Sequence, residues 1–409
     1  MAESGASHGI ARTSRVRSEE QRQKDLERIQ KYRTLEDQVR QRAADKQFDS
    51  ETFQLTSKLL RLNPEYYTAW NVRRRCLISG LFSKLLPGSS CSKESSSTSP
   101  RDTTTACSEE SSSASSIPTP GRPDCQTTGK SGTTADDDLE LIKTELHFTI
   151  PLLLESPKCY WIWSYRLWVL NQAIERLERP VARRIWEEEL GLAEKMLSKD
   201  HRNFHAWGYR RHVVAQLESD ALGGGSMVEA EFAYTERMFR RDLSNFSAWH
   251  NRSRLIPRLL DERGATDAQR KAFLDKELNM IREALNVGPG DQSLWYYHQF
   301  LVLNLVTTAG KPTITPAFTL EERISYLTRE IEEIKVLLED YDEDVQLIYE
   351  ALVDYTLYFS RLEERKPTEE EREDLVSWVA KLKELDPMRN GRWVDLERDQ
   401  GLVELLPGH

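Results

Sequence analysis

The stretch DHRNFHAWGYRRHVV at residues 200–214 is closely matched by DLSNFSAWHNRSRLI at residues 242–256. Both begin with Asp, place an Asn and an aromatic residue before a Trp, and carry an Arg three positions after that Trp. Three further segments share much of this arrangement: NPEYYTAWNVRRRCLI at 63–78, SPKCYWIWSYRLWVL at 156–170 and GPGDQSLWYYHQFLV at 288–302. Five copies in one chain indicate an internal repeat.

Each copy is anchored by a Trp, with a turn-prone residue seven positions before it. The five anchors are Trp70, Trp163, Trp207, Trp249 and Trp295. Four copies have Arg three positions after the Trp, namely Arg73, Arg166, Arg210 and Arg252, and the fifth has His298. Because a regular aromatic stripe is usually core, we expect the Trp residues to pack between helices. We expect the Arg residues to reach carbonyls or acidic groups of the adjoining hairpin, or else to line a groove for an anionic ligand.

The spacing of the anchors predicts repeats of two helices. From Trp163 onward the Trp-to-Trp intervals are 44, 42 and 46 residues, a length typical of paired-helix repeats. The first interval is 93 residues, because a Ser/Thr-rich segment at 88–138 contains Ile117 as its only large aliphatic residue. Such a segment cannot bury enough apolar surface to offset its ordering entropy, so we expect a disordered insertion. Without its 51 residues the interval is 42.

The fold class predicted from these patterns is all-α. No segment alternates between apolar and polar residues with the period of two that strands require. A hairpin of about 44 residues cannot cover its own apolar face, so the hairpins must stack, which favours a right-handed α-α superhelix, or solenoid, of about seven helical hairpins. Five are clear and two are degenerate; one of these carries Trp393, with Leu396 where Arg is expected, and Thr368 to Glu371 is typical of a capping box.

The predicted organisation has five segments. They are an N-terminal basic segment and helix at 1–50, the first repeat at 51–87, the disordered insertion at 88–138, repeats two to five at 139–305, and degenerate helical hairpins at 306–409.

Composition excludes several classes of function. The net charge of −10 argues against nucleic acid as a partner, because phosphate binding needs a basic excess. No apolar run has the length of a membrane span or a signal peptide, so we expect a cytoplasmic protein. The five cysteines form no C-x-x-C pair, and we expect no metal site in this chain.

The Trp-centred repeat resembles that of the α subunits of protein prenyltransferases, over residues 52 to about 305. The resemblance implies a chain of paired helices that assembles with a separate β subunit, which holds the catalytic zinc and most of the isoprenoid pocket. The family contains an α chain shared by farnesyltransferase and geranylgeranyltransferase type I, and another of the Rab, or type II, geranylgeranyltransferase.

The N-terminal segment resembles the Rab type in its compact, fungal-like form. His8-Gly9-Ile10 precede a helix-forming segment with eleven Lys or Arg against seven Asp or Glu between residues 11 and 46. Membership of this type implies geranylgeranyl diphosphate as donor, and Rab GTPases presented by a Rab escort protein as acceptors. His8 is expected to act at most as an auxiliary zinc ligand or an autoinhibitory arm.

The resemblance also assigns candidate site residues. Lys158, five residues before Trp163, matches a family Lys that stabilises the departing diphosphate. Tyr160 matches an aromatic residue near the peptide and isoprenoid, and His205 matches a His close to the diphosphate.

Two alternatives remain open at this point. The chain could be the α subunit shared by farnesyltransferase and geranylgeranyltransferase type I, or a non-catalytic helical scaffold that keeps only the repeats. The identity of the β chain separates the first from the Rab type, and isoprenoid transfer itself separates the second.

Overall fold

The computed structural model describes residues 18–83, 132–307, 313–341 and 343–402, and its secondary structure in these ranges is helical. They divide into two compact units, one ending at Glu187 and the other beginning at Glu188. The predicted His8 and residues 88–131 of the predicted insertion lie outside the described residues.

The first unit contains five complete helices and the start of a sixth. They are α1 (Glu19–Ala44), α2 (Ser50–Leu62), α3 (Tyr67–Cys76), α4 (Gly132–Glu155), α5 (Tyr160–Arg176) and α6 (Arg179–Lys199). A π-helical turn, Leu77–Leu81, follows α3. The α2/α3 and α4/α5 pairs pack as hairpins, α1 packs on α2, and α3 contacts α5.

The second unit contains the end of α6 and nine further helices. They are α7 (Phe204–Leu217), α8 (Val228–Arg241), α9 (Phe246–Glu262), α10 (Asp267–Val287), α11 (Gln292–Val306), α12 (Leu320–Asp340), α13 (Gln346–Leu362), α14 (Glu369–Leu385) and α15 (Asn390–Gln400). The hairpins of this unit are the packed pairs α8/α9, α10/α11, α12/α13 and α14/α15. Helix α11 also contacts α9 and α13. With α6/α7, the described helices form seven consecutive pairs after α1, which confirms the all-helical class and the predicted number of hairpins.

Side-chain caps explain where several helices begin. The Asn203 side chain accepts hydrogen bonds from the His205 and Ala206 amides, and Asn245 accepts one from the Ala248 amide. Thr368 forms the predicted capping box with Glu371, in which each side chain bonds the other's backbone N–H. These contacts satisfy amides that lack a partner within the helix.

The predicted insertion ends earlier than expected. Helix α4 begins at Gly132, so residues 132–138 are helical rather than disordered. Asp138 is buried and accepts hydrogen bonds from the backbone and side chain of Ser83, and it lies 3.5 Å from Arg176. The acidic run at 136–138 resembles the polar insertion in composition, but carboxylates near a helix N-terminus are stabilised there by the backbone dipoles.

All five repeat Trp side chains are at most 6% exposed, as predicted for packing residues. Each indole N–H donates to the backbone carbonyl six residues earlier, in the turn that joins the two helices of its hairpin. The pairs are Trp70–Pro64, Trp163–Pro157, Trp207–His201, Trp249–Leu243 and Trp295–Pro289, at 2.6 to 2.9 Å. The Trp therefore anchors both the core and the turn. Trp393 of the last hairpin is also buried, but its indole nitrogen has no hydrogen-bond partner.

In three of the four repeats with an Arg three positions after the Trp, that Arg crosses to an acidic group of the next hairpin. We call this contact between the second helix of one hairpin and the first helix of the next a junction. In three junctions the guanidinium makes two bonds to the two oxygens of one Glu, at 2.5 to 2.9 Å. They are Arg73–Glu145, Arg210–Glu231 and Arg252–Glu277.

Candidate active-site turns

The turn between the two helices of each hairpin carries the candidate residues. In four of the five repeats, the second helix begins with an exposed aromatic residue three positions before the Trp. These residues are Tyr67, Tyr160, Phe204 and Phe246, and they are 48%, 56%, 67% and 49% exposed. An exposed aromatic at one equivalent position of successive hairpins is unusual for a surface, because each leaves apolar area in contact with water. We call these four residues the exposed turn aromatics.

Lys158 lies in the turn between α4 and α5, two residues before the first residue of α5, and is exposed. Its neighbours on both sides are held in place. The Pro157 carbonyl accepts the Trp163 indole N–H at 2.9 Å, and the buried Cys159 thiol donates to the Pro64 carbonyl at 3.5 Å. The Pro64 carbonyl also accepts the Trp70 indole N–H, so one oxygen links the Lys158 turn to the preceding turn.

The Cys159 thiol is suited to this linking contact. Burial is the main cause that raises its pKa to about 11, so the sulfur stays protonated and remains a donor near neutral pH. In the fourth repeat the equivalent position is Asn245, whose side chain donates at 2.8 Å to the His201 carbonyl of the preceding turn. The residue four positions before the Trp therefore ties successive turns together in both units.

Tyr160 is the first residue of α5 and lies beside Trp161, with ring centroids 5.2 Å apart. Trp161 in turn lies 4.5 Å from the ring of Tyr67 in the preceding hairpin. Lys158, Tyr160, Trp161 and Tyr67 thus form a cationic and aromatic surface at the ends of two neighbouring hairpins in the first unit.

His205 is the second residue of α7, in the second unit, and is partly buried. Its ring centroid lies 4.0 Å from that of the exposed Phe204. The structure therefore brings Lys158 and Tyr160 together in one turn, and places His205 at the corresponding turn of the next hairpin.

The repeat Arg residues do not line an anion-binding groove. Arg73, Arg210 and Arg252 are at most 4% exposed. Burial opposes the charge on Arg73 and Arg252, but Glu145 with Tyr165 and Glu277 with Tyr297 outweigh it, so the pKa of each guanidinium is raised. Arg166, also buried, donates to the Leu146 carbonyl and to Thr149 within its own hairpin. Of the two roles left open by the sequence, the structure supports the packing role.

Sequence reasoning missed the acidic partners of these residues. A Glu lies 18 positions before the Trp in repeats two to five: Glu145, Glu189, Glu231 and Glu277. Three of them also accept from a buried Tyr two positions after the Trp of their own hairpin: Tyr165, Tyr209 and Tyr297, at 2.5 to 2.6 Å. This Glu recurs at a fixed offset when the repeats are aligned on the Trp, but it lies on the preceding helix, outside the segment that was compared.

The residues that the structure describes do not fit a zinc ion. No group of three or more His, Cys, Asp or Glu side chains among them is arranged to hold a metal. Both described cysteines, Cys76 and Cys159, are buried free thiols. None of the described helices has the length and apolar character needed to cross a membrane.

Comparison with known proteins agrees with this architecture. The family model described as "Protein prenyltransferase alpha subunit repeat" matches residues 49–79, 142–173, 186–217, 228–259 and 274–305, the five Trp-anchored hairpins. The solved structure titled "Candida albicans protein geranylgeranyltransferase-I complexed with GGPP" has a chain with the same fold. The TM-score is 0.53 with 17% identity, over 90% of this chain and 89% of that one.

Curated relatives extend the likeness to nearly the whole sequence. The geranylgeranyl transferase type-2 subunit alpha of Schizosaccharomyces pombe is 32% identical over 95% of this chain and 97% of its own length. The protein of the same name in Saccharomyces cerevisiae is 27% identical over 95% of this chain and 98% of its own. That of Rattus norvegicus is 29% identical over 70% of this chain and 40% of its own length. The chain belongs to the family of geranylgeranyl transferase type-2 alpha subunits.

Proposed function

We propose that this chain, acting in the cytoplasm, is the α subunit of a heterodimeric protein geranylgeranyltransferase that is active only with its β subunit. The enzyme transfers the geranylgeranyl group from geranylgeranyl diphosphate to C-terminal cysteines of Rab GTPases presented by an escort protein. The observation that carries the proposal is the Lys158 turn, a cation and an exposed aromatic residue at the start of α5, in a chain that matches type-2 alpha subunits along its length.

The chemistry forms a thioether and releases diphosphate. The acceptor thiolate bonds to the allylic carbon, the carbon–oxygen bond to diphosphate breaks, and negative charge grows on the leaving oxygens. When zinc is held by the β subunit, it lowers the pKa of the acceptor thiol. The described part of this chain contributes no ligand set for that ion.

Within this scheme Lys158 supplies positive charge where the diphosphate departs. The positive end of the α5 helix dipole adds to the same field, because a helix N-terminus favours phosphate oxygens. The Trp163 indole and the Cys159 thiol fix the turn, so the backbone that carries Lys158 needs little reorganisation during the reaction. Tyr160, two residues further along the chain, provides exposed aromatic surface at the same turn.

Coexpression with a type-2 β subunit tests the proposal, with geranylgeranyl transfer to a Rab substrate as the readout. We expect Lys158→Ala to lower kcat by about 10- to 100-fold, since removal of one charge-stabilising donor typically costs that much or more. Lys143→Ala is the matched control, because Lys143 is an exposed side chain of the same hairpin whose ion pair in the described part of the chain is with Glu140, at 3.6 Å. Equal turnover in both variants contradicts the role of Lys158.

A parallel coexpression with a farnesyltransferase-type β chain separates the related alternative. Stable pairing with that chain alone rejects the type-2 assignment. A heterodimer that forms but transfers no isoprenoid instead identifies a scaffold.

A further inference from the structure

Arg74 directly follows the repeat residue Arg73 in helix α3 of the first unit, and its side chain is partly buried. The two guanidinium groups have different partners. Arg73 bonds Glu145 of α4, whereas Arg74 reaches Ser164 of α5, the second helix of the next hairpin. Arg74 therefore lies between α3 and α5, the two helices that begin at the turns of the first and second repeats.

The hydrogen bonds of Arg74 are made to neutral oxygens. Its Nη1 donates to the side-chain carbonyl of Asn71 at 3.2 Å, and its Nη2 donates to the Ser164 hydroxyl at 3.5 Å. Its buried Nε has no hydrogen-bond partner. Among the residues that the structure describes, no carboxylate forms an ion pair with this guanidinium, so the fold supplies no counter-charge for it.

Other buried or partly buried arginines of the first unit are paired with acids. The pairs are Arg42 with Asp49 and Glu51, Arg73 with Glu145, and Arg176 with Asp138. For Arg74, burial lowers the pKa, and the neighbours that act on its charge are tyrosine hydroxyls instead of carboxylates. A partly buried charge without a counter-ion costs stability, so we expect its counter-charge to come from outside this chain.

Arg74 lies close to the aromatic surface of the candidate site. Its acceptor Asn71 follows the exposed Tyr67 by four positions in α3, so the two share one face of that helix. Its acceptor Ser164 follows the exposed Tyr160 by four positions in α5 in the same way. The hydroxyls of both tyrosines are near enough to influence the charge of Arg74. The guanidinium is thus bonded about one helical turn, roughly 5 Å, along each helix from an exposed ring.

Aromatic rings also lie near the guanidinium of Arg74. Its Cζ atom is 5.7 Å from the ring centroids of both Tyr165 and Trp168. Such cation–π contacts stabilise the charge and leave N–H groups available for hydrogen bonds. One N–H on each Nη atom has no acceptor in the described part of the chain. A pair of this kind can bind two oxygen atoms of a carboxylate or a phosphate.

We propose that Arg74 is a second cationic residue of the substrate site, besides Lys158, and that it binds an anionic oxygen group of a substrate. Two groups have this chemistry, the diphosphate of the donor and the C-terminal carboxylate of the acceptor. The inference rests on the proposed function, which brings both groups near the reacting atoms, since diphosphate leaves the allylic carbon and the acceptor cysteines lie at the C-terminus. In a chain with a net charge of −10, an unmatched guanidinium beside exposed aromatic rings favours an anion that is joined to apolar groups.

Arg74→Gln in the assembled heterodimer tests the proposal, with Arg75→Gln as the control. Arg75 is the next residue of α3, is exposed and lies over the Phe48 ring, so the control removes the same charge from another face of the helix. If the diphosphate is the ligand, we expect the Kd of geranylgeranyl diphosphate to rise about tenfold or more, with an unchanged KM for the Rab acceptor. If the carboxylate is the ligand, the acceptor KM should rise by that factor instead. An acceptor with a C-terminal amide should then have the same KM with wild type and variant.

A purely structural role for Arg74 gives a different pattern. Arg74→Gln then lowers the Tm or weakens the heterodimer while both substrate constants match those of Arg75→Gln, and that result overturns the proposal. Arg74→Lys keeps the charge without the planar fork, so its constant should lie between those of wild type and Arg74→Gln, and it carries the comparison if the Gln variant does not fold. If the wild-type heterodimer transfers no geranylgeranyl group, the proposed function fails. If it does and Arg74→Gln equals Arg75→Gln in both constants, only this inference fails.

Discussion

The junctions that use Arg and the junction that uses His298 occupy the same position in the repeat but are built differently. Arg252 makes two bonds to Glu277 and needs no other cation. His298 makes a single contact of 3.1 Å with Glu330, and its other ring nitrogen lies 2.8 Å from the Tyr355 hydroxyl. Glu330 therefore also accepts from Arg282 at 3.0 Å and lies 3.4 Å from Arg329.

The difference shows what the planar guanidinium contributes. Arg satisfies both carboxylate oxygens with one rigid group, so the junction is complete with two side chains plus the Tyr of the next hairpin. Imidazole offers one nitrogen to the carboxylate, so charge from two further arginines is required. The three experiments below probe this contrast.

The largest effect is expected from breaking an Arg junction. Arg252→Ala leaves Glu277, 1% exposed, with the Tyr297 hydroxyl as its remaining donor among the residues that the structure describes. Removing one member of a buried ion pair typically costs about 3–5 kcal/mol. Urea unfolding should show that loss in the free energy of unfolding. Arg263→Ala, which breaks an exposed pair with Glu229, should cost under about 1 kcal/mol, and equal losses in the two variants contradict the comparison.

An intermediate and pH-dependent effect is expected at the His298 junction. Burial pushes the pKa of Glu330 up, but the His298 hydrogen bond and the nearby arginines outweigh it, so its pKa is lowered from 4.5. A carboxyl with a depressed pKa stabilises the fold above its unfolded pKa, and this contribution is lost as the pH falls through the folded value.

Glu330→Gln should accordingly cost about 2 kcal/mol at pH 7. The difference from wild type should shrink as the pH is lowered from 5 towards 3, measured by urea unfolding at each pH. A difference that widens over this range means that Glu330 is not held in its charged form by the junction.

The smallest effect is expected from the Tyr that shares the carboxylate. Tyr297→Phe removes one donor from Glu277 but leaves both bonds from Arg252, so we expect a loss of about 1–2 kcal/mol. The neighbouring Tyr296→Phe is the control, because that side chain is half exposed and its hydroxyl accepts a hydrogen bond from the Gln292 amide on the surface. Its loss should change the stability by no more than about 0.5 kcal/mol. If the two variants are equally stable, the Tyr is not part of the junction.

Much of this fold could be predicted from the sequence because the same residue types recur at the same positions of each repeat. Trp, Arg and the turn residues recur at fixed offsets within one short segment, so the burial of the Trp followed from the pattern, whereas the pattern left two roles open for the Arg. The Glu partners could not be recognised as easily. They lie on another helix, and they had to be distinguished from the rest of the 67 acidic residues in the chain.

The candidate site was less accessible to sequence reasoning, for two reasons. Lys158 and Tyr160 were identified by resemblance alone, because a Lys at a turn has no periodic signature. Tyr67 and Phe246 were missed because the sequence pattern does not separate a surface aromatic from a core one, and only their exposure distinguishes them. The start of α4 was misplaced because an acidic helix N-terminus and a polar insertion share a composition.

The junction residues also indicate how the series of ionic contacts stops. Thr52 stands 18 positions before Trp70, where later repeats have Glu, and it accepts from Arg42 of α1 instead of from a preceding repeat. Between the last two hairpins, the corresponding positions hold the apolar pair Ala351 and Leu375, both buried. The Glu of one hairpin and the Arg of the preceding hairpin are thus present together or absent together. A hairpin can therefore be inserted or deleted without leaving an unpaired buried charge only if the Arg of one hairpin is kept together with the Glu of the next.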